Sequence, residues 1–429
     1  MNIYDSELVA SILTSEGYKI TNDINQAKIV LINTCSVREH AEDKVLNRIK
    51  YLEKLKFKDG KQFLLGIIGC MSQRLKDDLI NFSKAIDFIV GPDNYRNLIK
   101  IINELLITNN KIYCQENNSE TYEDIVPKHF LSNGVSTYIS ITRGCENFCS
   151  YCVVPYVRGK ERSKKPENII KEITNATLQG FKEIVLIGQN VDSYYYEGIN
   201  FPMLLKKIAI NFPNLRIRFT TNHPKDLTDE LIEVISMYPN IARHIHLPVQ
   251  SGSNKILKLM NRNYTREYYL NRIKRIKEII PDCTISTDIL VGFCYESEND
   301  FLETLSLMEE VIFDQAFMFK YSPRKGTYAY ENYEDTVPEE IKIQRLQKVI
   351  SLQLQHGLLS KQKAIGKTYT VLIENYGKKK NQYLGRNSQN QVIIFESSDS
   401  IQLGTYVNVL IEKATPATLI GKLIEIIKI

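Results

Sequence analysis

Cys145-Glu-Asn-Phe-Cys149-Ser-Tyr-Cys152 puts three thiols into eight consecutive residues. At C-x3-C-x2-C spacing one loop can turn all three toward a single metal centre. Three thiolates on a four-iron cluster leave one iron open to chelate a small molecule and pass it an electron, and iron–sulfur clusters are ligated by spaced cysteine runs of this kind. A structural zinc competes with that reading, but it needs a fourth protein ligand to close its tetrahedron. No cysteine or histidine follows within fifty residues, and His129 is the nearest upstream. Inert buried thiols are the third reading. Cys35 and Cys70, far upstream, could add further ligands or simply pack as small hydrophobes. Eight cysteines in a chain this long make no disulfide scaffold, so the clustered thiols point to metal or redox chemistry.

The elements that must position these thiols follow from hydrophobic patterning. Residues 1–115 read as an open parallel α/β sheet domain. Lys28–Asn33 and Phe63–Ile68 are short apolar runs typical of buried parallel strands, and Phe88–Val90 is a possible third. Cys35 and Cys70 fall just past two of these strands, at the sheet edge where ligands bind. Helix-like sequence begins almost at residue 1, with no strand before it. Residues 116–135 are polar and read as a linker. From 136 to about 325, six strand–helix units alternate, which predicts a full or partial (β/α) barrel with its chemistry at the strand carboxyl ends. The strands are expected at 138–142, 184–187, 217–220, 245–249, 285–290 and 317–321. A helix over 338–364 closes that 136–364 domain. Residues 366–429 then change to short strands at 368–373, 391–396, 406–412 and 419–426, a small antiparallel β-barrel.

The chain has 429 residues and a net charge of +5, too mild to prove a nucleic-acid partner. Its length suggests about three domains. The longest apolar runs, such as Leu64–Met71, fall far short of the ~18 residues a membrane span needs. Asp5 and Glu7 stand where a secretory leader would carry basic residues. A cytoplasmic protein without membrane contact is the expectation.

C-x3-C-x2-C with Tyr151 before the last cysteine resembles the radical S-adenosylmethionine (SAM) enzymes. The flanking Thr142-Arg-Gly-Cys145, Cys152-Val-Val-Pro-Tyr-Val-Arg-Gly159, Gly188-Gln-Asn-Val191, Leu247-Pro-Val-Gln-Ser-Gly-Ser253 and Tyr321-Ser-Pro-Arg-Lys-Gly-Thr327 resemble its methylthiotransferase family. Asn33-Thr-Cys35-Ser-Val-Arg-Glu-His-Ala-Glu-Asp-Lys-Val45 is similar to the tRNA 2-methylthio-N6-isopentenyladenosine synthase (MiaB-type) branch. The C-terminal barrel is similar to the family's RNA-binding TRAM domain.

The resemblance implies that Cys145, Cys149 and Cys152 hold a 4Fe-4S cluster. Its open iron would chelate SAM, and one electron would release a 5′-deoxyadenosyl radical, the cofactor doing the hard chemistry. It places Tyr151 near the adenine, and Gly188, Gln189, Gln250 and Ser251 in the SAM pocket. Cys35 and Cys70 match ligands of a second, auxiliary 4Fe-4S cluster that supplies sulfur. The product would be a methylthio group on C2 of N6-isopentenyladenosine beside the anticodon of tRNA. An electron-donor protein and a sulfur or cluster donor are implied partners, and the enzyme is expected to act as a monomer on the anticodon stem-loop.

Two departures from the family stand out. The auxiliary cluster takes a third cysteine from a Gly-Cys-Gln-Met-Asn motif, of which this chain carries only Met1-Asn2, so one ligand is lacking here. The expectation is a start placed too far downstream, or a truncated gene, with an in-frame upstream strand ending in Gly-Cys-Gln. Gly292-Phe-Cys294-Tyr295-Glu296 replaces the usual Gly-Phe-Pro-Gly-Glu, which is expected to change the loop after the fifth barrel strand and the SAM contacts the family makes there.

RNA contact is expected from local charge. Arg158-Gly-Lys160-Glu-Arg162-Ser-Lys-Lys165 packs five basic residues behind the thiol loop, and Lys378, Lys379, Lys380 and Arg386 form a second group on the first turn of the terminal barrel. Solvated charged faces would look the same. The substrate base would have to be splayed from its loop, as single-stranded RNA readers require. His40, His223, His244 and His246 read as polar packing, as do Cys114, Cys283 and Cys294 as incidental thiols. Alternatives in the same chemistry are methylthiolation of threonylcarbamoyl-adenosine or of a ribosomal-protein side chain; a zinc-stabilised RNA-binding protein is the non-catalytic one.

Overall fold

The two apolar runs near the N-terminus fold as parallel strands, Ile29–Thr34 and Leu64–Gly69, in register from Ile29 opposite Leu64 to Thr34 opposite Gly69. The computed structural model describes all residues except 37–38, 106–111, 116, 118 and 428–429. The chain divides into two units: Met1–Leu131 with Thr142–Lys164 and Arg324–Glu331, and Ser132–Ile141 with Lys165–Pro323 and Asn332–Ile429.

In the first unit, Phe88–Val90 and the two-residue strand Ile112–Tyr113 extend the parallel sheet. Successive residues of a strand face opposite sides, and here both sides are covered. Ile68, Phe88 and Val90 join Leu8, Val9 and Ile12 of helix Asn2–Ser15. Leu65, Ile67 and Ile89 join Ile49 and Leu52 of helix Glu39–Phe57. Burial on both faces explains why these strands read as unbroken apolar runs. The linker expected at 116–135 needs correction. Tyr122 is fully buried, its ring stacks on Tyr95 at 5.8 Å, and its hydroxyl donates to the Pro92 carbonyl at 2.9 Å. Polar composition hid one aromatic that anchors the segment to the first unit.

The second unit holds the expected strand–helix alternation. Strands Ser136–Ser140, Glu183–Ile187 and Arg216–Phe219 form one parallel sheet, and His244–His246, Thr284–Val291 and Gln315–Lys320 form another. A parallel bridge between Ile217 and Ile241 continues the first into the second. The result is a six-strand arc, a partial barrel, backed by helices Pro166–Leu178, Phe201–Asn211, Asp229–Met237, Arg266–Ile279 and Glu298–Val311. Among the described residues no helix is long and apolar enough to cross a membrane.

Helix Glu339–Gln362 leads to a closed five-strand barrel of Thr368–Tyr376, Gln382–Asn387, Val392–Glu396, Leu419–Ile427 and Tyr406–Ala414, in that spatial order. Gln382–Asn387 has no strand signal in the sequence because Gly385 and Asn387 take inward positions beside Tyr383, where alternation calls for apolar residues. This barrel docks at the amino ends of the parallel strands. Arg216 donates to the Arg386 carbonyl at 2.6 Å, Arg218 to the Asn387 carbonyl at 2.7 Å, and Thr284 to the Gln389 carbonyl at 2.6 Å.

Glu183 sits inside that junction. It accepts from Arg218 at 2.7 Å and from the Ser136 hydroxyl at 2.9 Å. Burial alone would raise its carboxyl, but Arg218, Arg216 and Arg386 outweigh burial and hold it below the ordinary 4.5. Removing one partner of a buried pair strands the other charge. Arg218→Met is therefore expected to cost about 3–5 kcal/mol in denaturant unfolding. Because the carboxyl is depressed, its contribution is fully present above its unfolded value. In the parent protein it is lost as pH falls below the ordinary 4.5 and through the lower folded value, and a pH series of unfolding midpoints will show that loss.

Candidate iron–sulfur site

The thiol loop is closed at its base by a short antiparallel ribbon, Thr142 opposite Ser163 and Arg143 opposite Arg162. Gly144 takes φ +81°, and a Cβ there would lie 1.9 Å from the Lys160 carbonyl, so only glycine fits before Cys145. The Cys145 amide donates to the Gly159 carbonyl at 3.1 Å, and the Cys152 amide to the Cys149 carbonyl at 2.9 Å. Helix Val154–Arg158 starts directly after, with Pro155 in its first turn. Cys145 and Cys149 are buried and Cys152 half-buried. Burial pushes the Cys145 thiol up to about 11, so binding a metal centre would have to displace its proton.

Cys35 and Cys70 come together through strand register. Thr34 is opposite Gly69, which puts the two cysteines at neighbouring carboxyl ends of the sheet. The Thr34 hydroxyl donates to the Ile68 carbonyl at 2.7 Å and accepts from the Met71 amide at 3.2 Å. Gly69, at φ +97°, leaves 2.5 Å between a hypothetical Cβ and the Thr34 carbonyl. The family motif after Cys35 also gains a physical role. Ser36 donates to Glu42 at 2.8 Å, Arg74 donates to both Ser36 and Glu42 at 2.6 Å, and Arg324 donates to Glu42 at 3.1 Å.

A buried carboxylate whose pairing the sequence did not reveal ties this unit together. Asp5, fully buried, accepts from Arg143 at 3.0 Å and from Arg158 at 2.6 Å. Burial would raise its carboxyl, but Arg158 and Arg143 hold it at about 2. Arg158 also donates through Nε to the Cys70 sulfur at 3.2 Å.

These contacts take Arg158 and Arg162 out of the expected RNA-contact set and move Arg386 off its expected turn. Arg158 is 3% exposed and engaged with Asp5 and Cys70. Arg162 is buried against Asp93 in a two-pronged pair at 3.0 and 3.1 Å. Arg386 lies on a strand rather than a turn, and its Nε donates to both oxygens of Glu374 at 3.0 Å. Arg158 and Arg162, buried and committed to carboxylates, are not available to phosphate, whereas Arg386 keeps about a third of its side chain exposed beside its pair. Lys160, Lys378 and Lys379 are exposed, the latter two with Lys380 on the turn between the first two strands of the terminal barrel.

In the second unit, Gly188 and Gln189 follow strand Glu183–Ile187, and Gln250 and Ser251 follow His244–His246, all at carboxyl ends of the parallel arc. Gln250 takes φ +69°. Ser251 needs correction as a pocket residue: it is fully buried and its hydroxyl bonds Thr304 at 3.2 Å, bracing the loop. Asp192 lies on the same edge, accepts from Asn222 at 2.5 Å and from the His223 amide at 3.1 Å, and is pushed up to about 8 by burial. Burial likewise pushes His223 down to about 2 and His244 to about 3, while His244 and His246 share the Ser286 hydroxyl at 2.9 Å. These three imidazoles pack. The side chain of His40 lies outside the described residues.

The altered loop after the fifth barrel strand keeps a tight turn. Tyr295 adopts φ +62°, a region that favours glycine. Its amide donates to Thr336 at 3.1 Å, its hydroxyl accepts from the Glu334 amide at 3.0 Å, and Glu296 closes the turn by accepting from the Gly292 amide at 2.6 Å. Tyr295→Ala keeps the strain and loses the hydroxyl contact to Glu334; Tyr295→Gly loses the same contact but relieves the strain. The glycine variant is expected to be the more stable of the two by about 1 kcal/mol in denaturant unfolding.

Among the described residues no three His, Cys, Asp or Glu side chains converge closely enough for one metal ion. Thiolates on different corners of an iron–sulfur cube stand further apart than ligands of a single ion, and an all-sulfur donor set with no fourth protein ligand suits the cube. Residues 139–308 match the Radical SAM superfamily, 362–424 the TRAM domain and 1–91 the uncharacterized protein family UPF0004. The fold is that of a radical SAM methyltransferase, TsrM, from Kitasatospora setae (TM-score 0.55, 12% identity, 74% of this chain and 70% of that one) and of the cobalamin-dependent SAM radical enzyme OxsB (0.55, 13%, 82% and 53%). Fold and site thus define a radical SAM enzyme, with an iron–sulfur cluster and SAM as cofactors, carrying a C-terminal TRAM barrel. Proteins named tRNA-2-methylthio-N(6)-dimethylallyladenosine synthase share 48% identity from Bacteroides thetaiotaomicron (98% of this chain, 93% of that one), 48% from Parabacteroides distasonis (99% and 93%) and 46% from Porphyromonas gingivalis (99% and 93%). The chain belongs to that family. The variant C145A/C149A/C152A is expected to lose all SAM cleavage to 5′-deoxyadenosine under a strong reductant, measured by chromatography after anaerobic reconstitution, while its circular dichroism stays that of the parent.

Proposed function

We infer that this protein is a tRNA methylthiotransferase that adds a methylthio group to C2 of N6-isopentenyladenosine (the dimethylallyl nucleoside of its relatives' names) beside the anticodon. The observation that carries the reading is the company the thiol loop keeps: one unit contains Cys145, Cys149 and Cys152 together with the register-matched pair Cys35 and Cys70.

Cys145, Cys149 and Cys152 would hold the first 4Fe-4S cluster, and Cys35 and Cys70 would contribute to a second that supplies sulfur. When bound, the first cluster supplies a single electron and an open iron position for SAM. The residues of this chain do the rest. The ribbon 142–143/162–163 and Gly144 set the loop so that its thiols can converge. Gly188, Gln189 and Gln250, on the carboxyl edge of the arc, would bind SAM, with Tyr151 against the adenine. Exposed Lys160, Lys378 and Lys379 would track phosphate, a salt-dependent contact. Partners in this reading are the tRNA anticodon stem-loop, an electron-donor protein and a sulfur or cluster donor. The enzyme works as a monomer in the cytoplasm.

Nucleoside analysis of tRNA tests the reading. Expression in a host lacking its own 2-methylthio-isopentenyladenosine activity should restore that nucleoside and deplete isopentenyladenosine. Unchanged isopentenyladenosine, together with new 2-methylthio-threonylcarbamoyl-adenosine, would reassign the substrate. A colourless protein with one zinc and no sulfide after anaerobic purification would contradict the chemistry altogether.

A further inference from the structure

Arg158 ends the helix that begins just after Cys152, and it turns back to reach Cys70. It is 3% exposed, and two of its three nitrogens are committed: Nε to the Cys70 sulfur at 3.2 Å and Nη2 to Asp5 at 2.6 Å. The third, Nη1, is buried and has no hydrogen-bond partner among the described residues. The Tyr95 hydroxyl is likewise buried without a partner. Asp5 is shared with Arg143, so two guanidinium charges face one carboxylate in the protein interior. A buried charge without compensation is costly. A surplus of cation and of unused donors beside a cysteine therefore calls for an anionic group. A thiolate-ligated iron–sulfur cluster, whose net charge is negative, is such a group.

We propose that Arg158 is a positioning residue for the second cluster: it fixes the Cys70 sulfur by an N–H···S bond and raises the reduction potential of the cluster that Cys70 holds. The proposal rests on the two-cluster reading above. The two bonds, Nη2 to Asp5 and Nε to Cys70, keep the planar guanidinium from turning away, which a lysine ammonium could not reproduce. Hydrogen bonds to ligand sulfurs and local positive charge favour the reduced, more negative state, and both are recognised determinants of cluster potential. Partners in the outer shell of a metal site also govern its retention. Because Arg158 follows Cys152 by six residues, the same side chain links the loop of one cluster to a ligand of the other.

The test uses C145A/C149A/C152A as parent, so that only the Cys35–Cys70 site can hold iron, and adds Arg158→Gln or Arg158→Lys. After anaerobic reconstitution, iron and sulfide per chain, the rate of iron loss to a chelator, and the midpoint potential by paramagnetic resonance titration are measured. Arg158→Gln should lose iron about tenfold faster or more, with a midpoint shifted to more negative values. Arg158→Lys should keep more of the potential, because it keeps the charge, yet lose iron faster than the parent. Should the glutamine variant not fold by circular dichroism, faster iron loss in the lysine variant decides the matter alone. Retention and potential equal to the parent would overturn the role of Arg158 while leaving two clusters standing. A parent that takes up no iron would overturn the second cluster and this proposal with it.

Discussion

One buried carboxylate governs the arrangement of the thiols. Asp5 can be ionised in the interior only because Arg143 and Arg158 neutralise it. These two arginines flank the loop that carries Cys145, Cys149 and Cys152, one on each side. Both stems of the loop are thereby fastened to helix Asn2–Ser15, and Arg158 extends the connection to Cys70. Moving either stem would leave a charge buried without its partner, which sets a steep penalty on alternative loop placements. The loop consequently groups with the N-terminal sheet, although the strand before it, Ser136–Ser140, belongs to the second unit.

The second unit divides its parallel strands by end. Their carboxyl ends carry Gly188, Gln189 and Gln250, and their amino ends are occupied by residues 386–389 of the terminal barrel, the end of a strand and the turn after it. Glu183, at the start of its strand, is the electrostatic pivot of that junction. Two of its three arginine neighbours, Arg216 and Arg218, come from one strand of the arc and the third, Arg386, from a strand of the terminal barrel, so the carboxylate is satisfied only when both parts are in place. The terminal barrel thus serves the arc structurally while Lys378–Lys380 stay exposed on its first turn.

Charged residues were where the sequence misled most. In Arg158–Lys165 the pattern of five cations in eight positions reads as a phosphate track, yet Arg158, Arg162 and Lys164 are interior. Their partners, Asp5, Asp93 and Tyr4, lie 65 or more positions away, at |i−j| of 153, 69 and 160. No local pattern contains that information. Tyr122 was missed for a related reason: a single aromatic in a polar stretch anchors the chain only because Tyr95 and Pro92 happen to meet it. The strand Gln382–Asn387 was hidden because barrel closure brings neighbouring backbone so near that glycine and asparagine occupy inward sites.

What the sequence determined by itself was everything with a short period or a fixed spacing. Alternation of strand and helix, the C-x3-C-x2-C loop, the placement of Cys35 and Cys70 past strand ends and the family motifs are local or near-local, and local physics suffices to read them. Which cations are structural and which are surface, which hydroxyls brace loops, and which carboxylate holds the thiol loop were decided by the tertiary structure alone. The reason is desolvation: whether a charge becomes a surface group or half of a buried pair depends on what the fold brings within hydrogen-bond reach, and that partner is chosen by packing over long sequence distances.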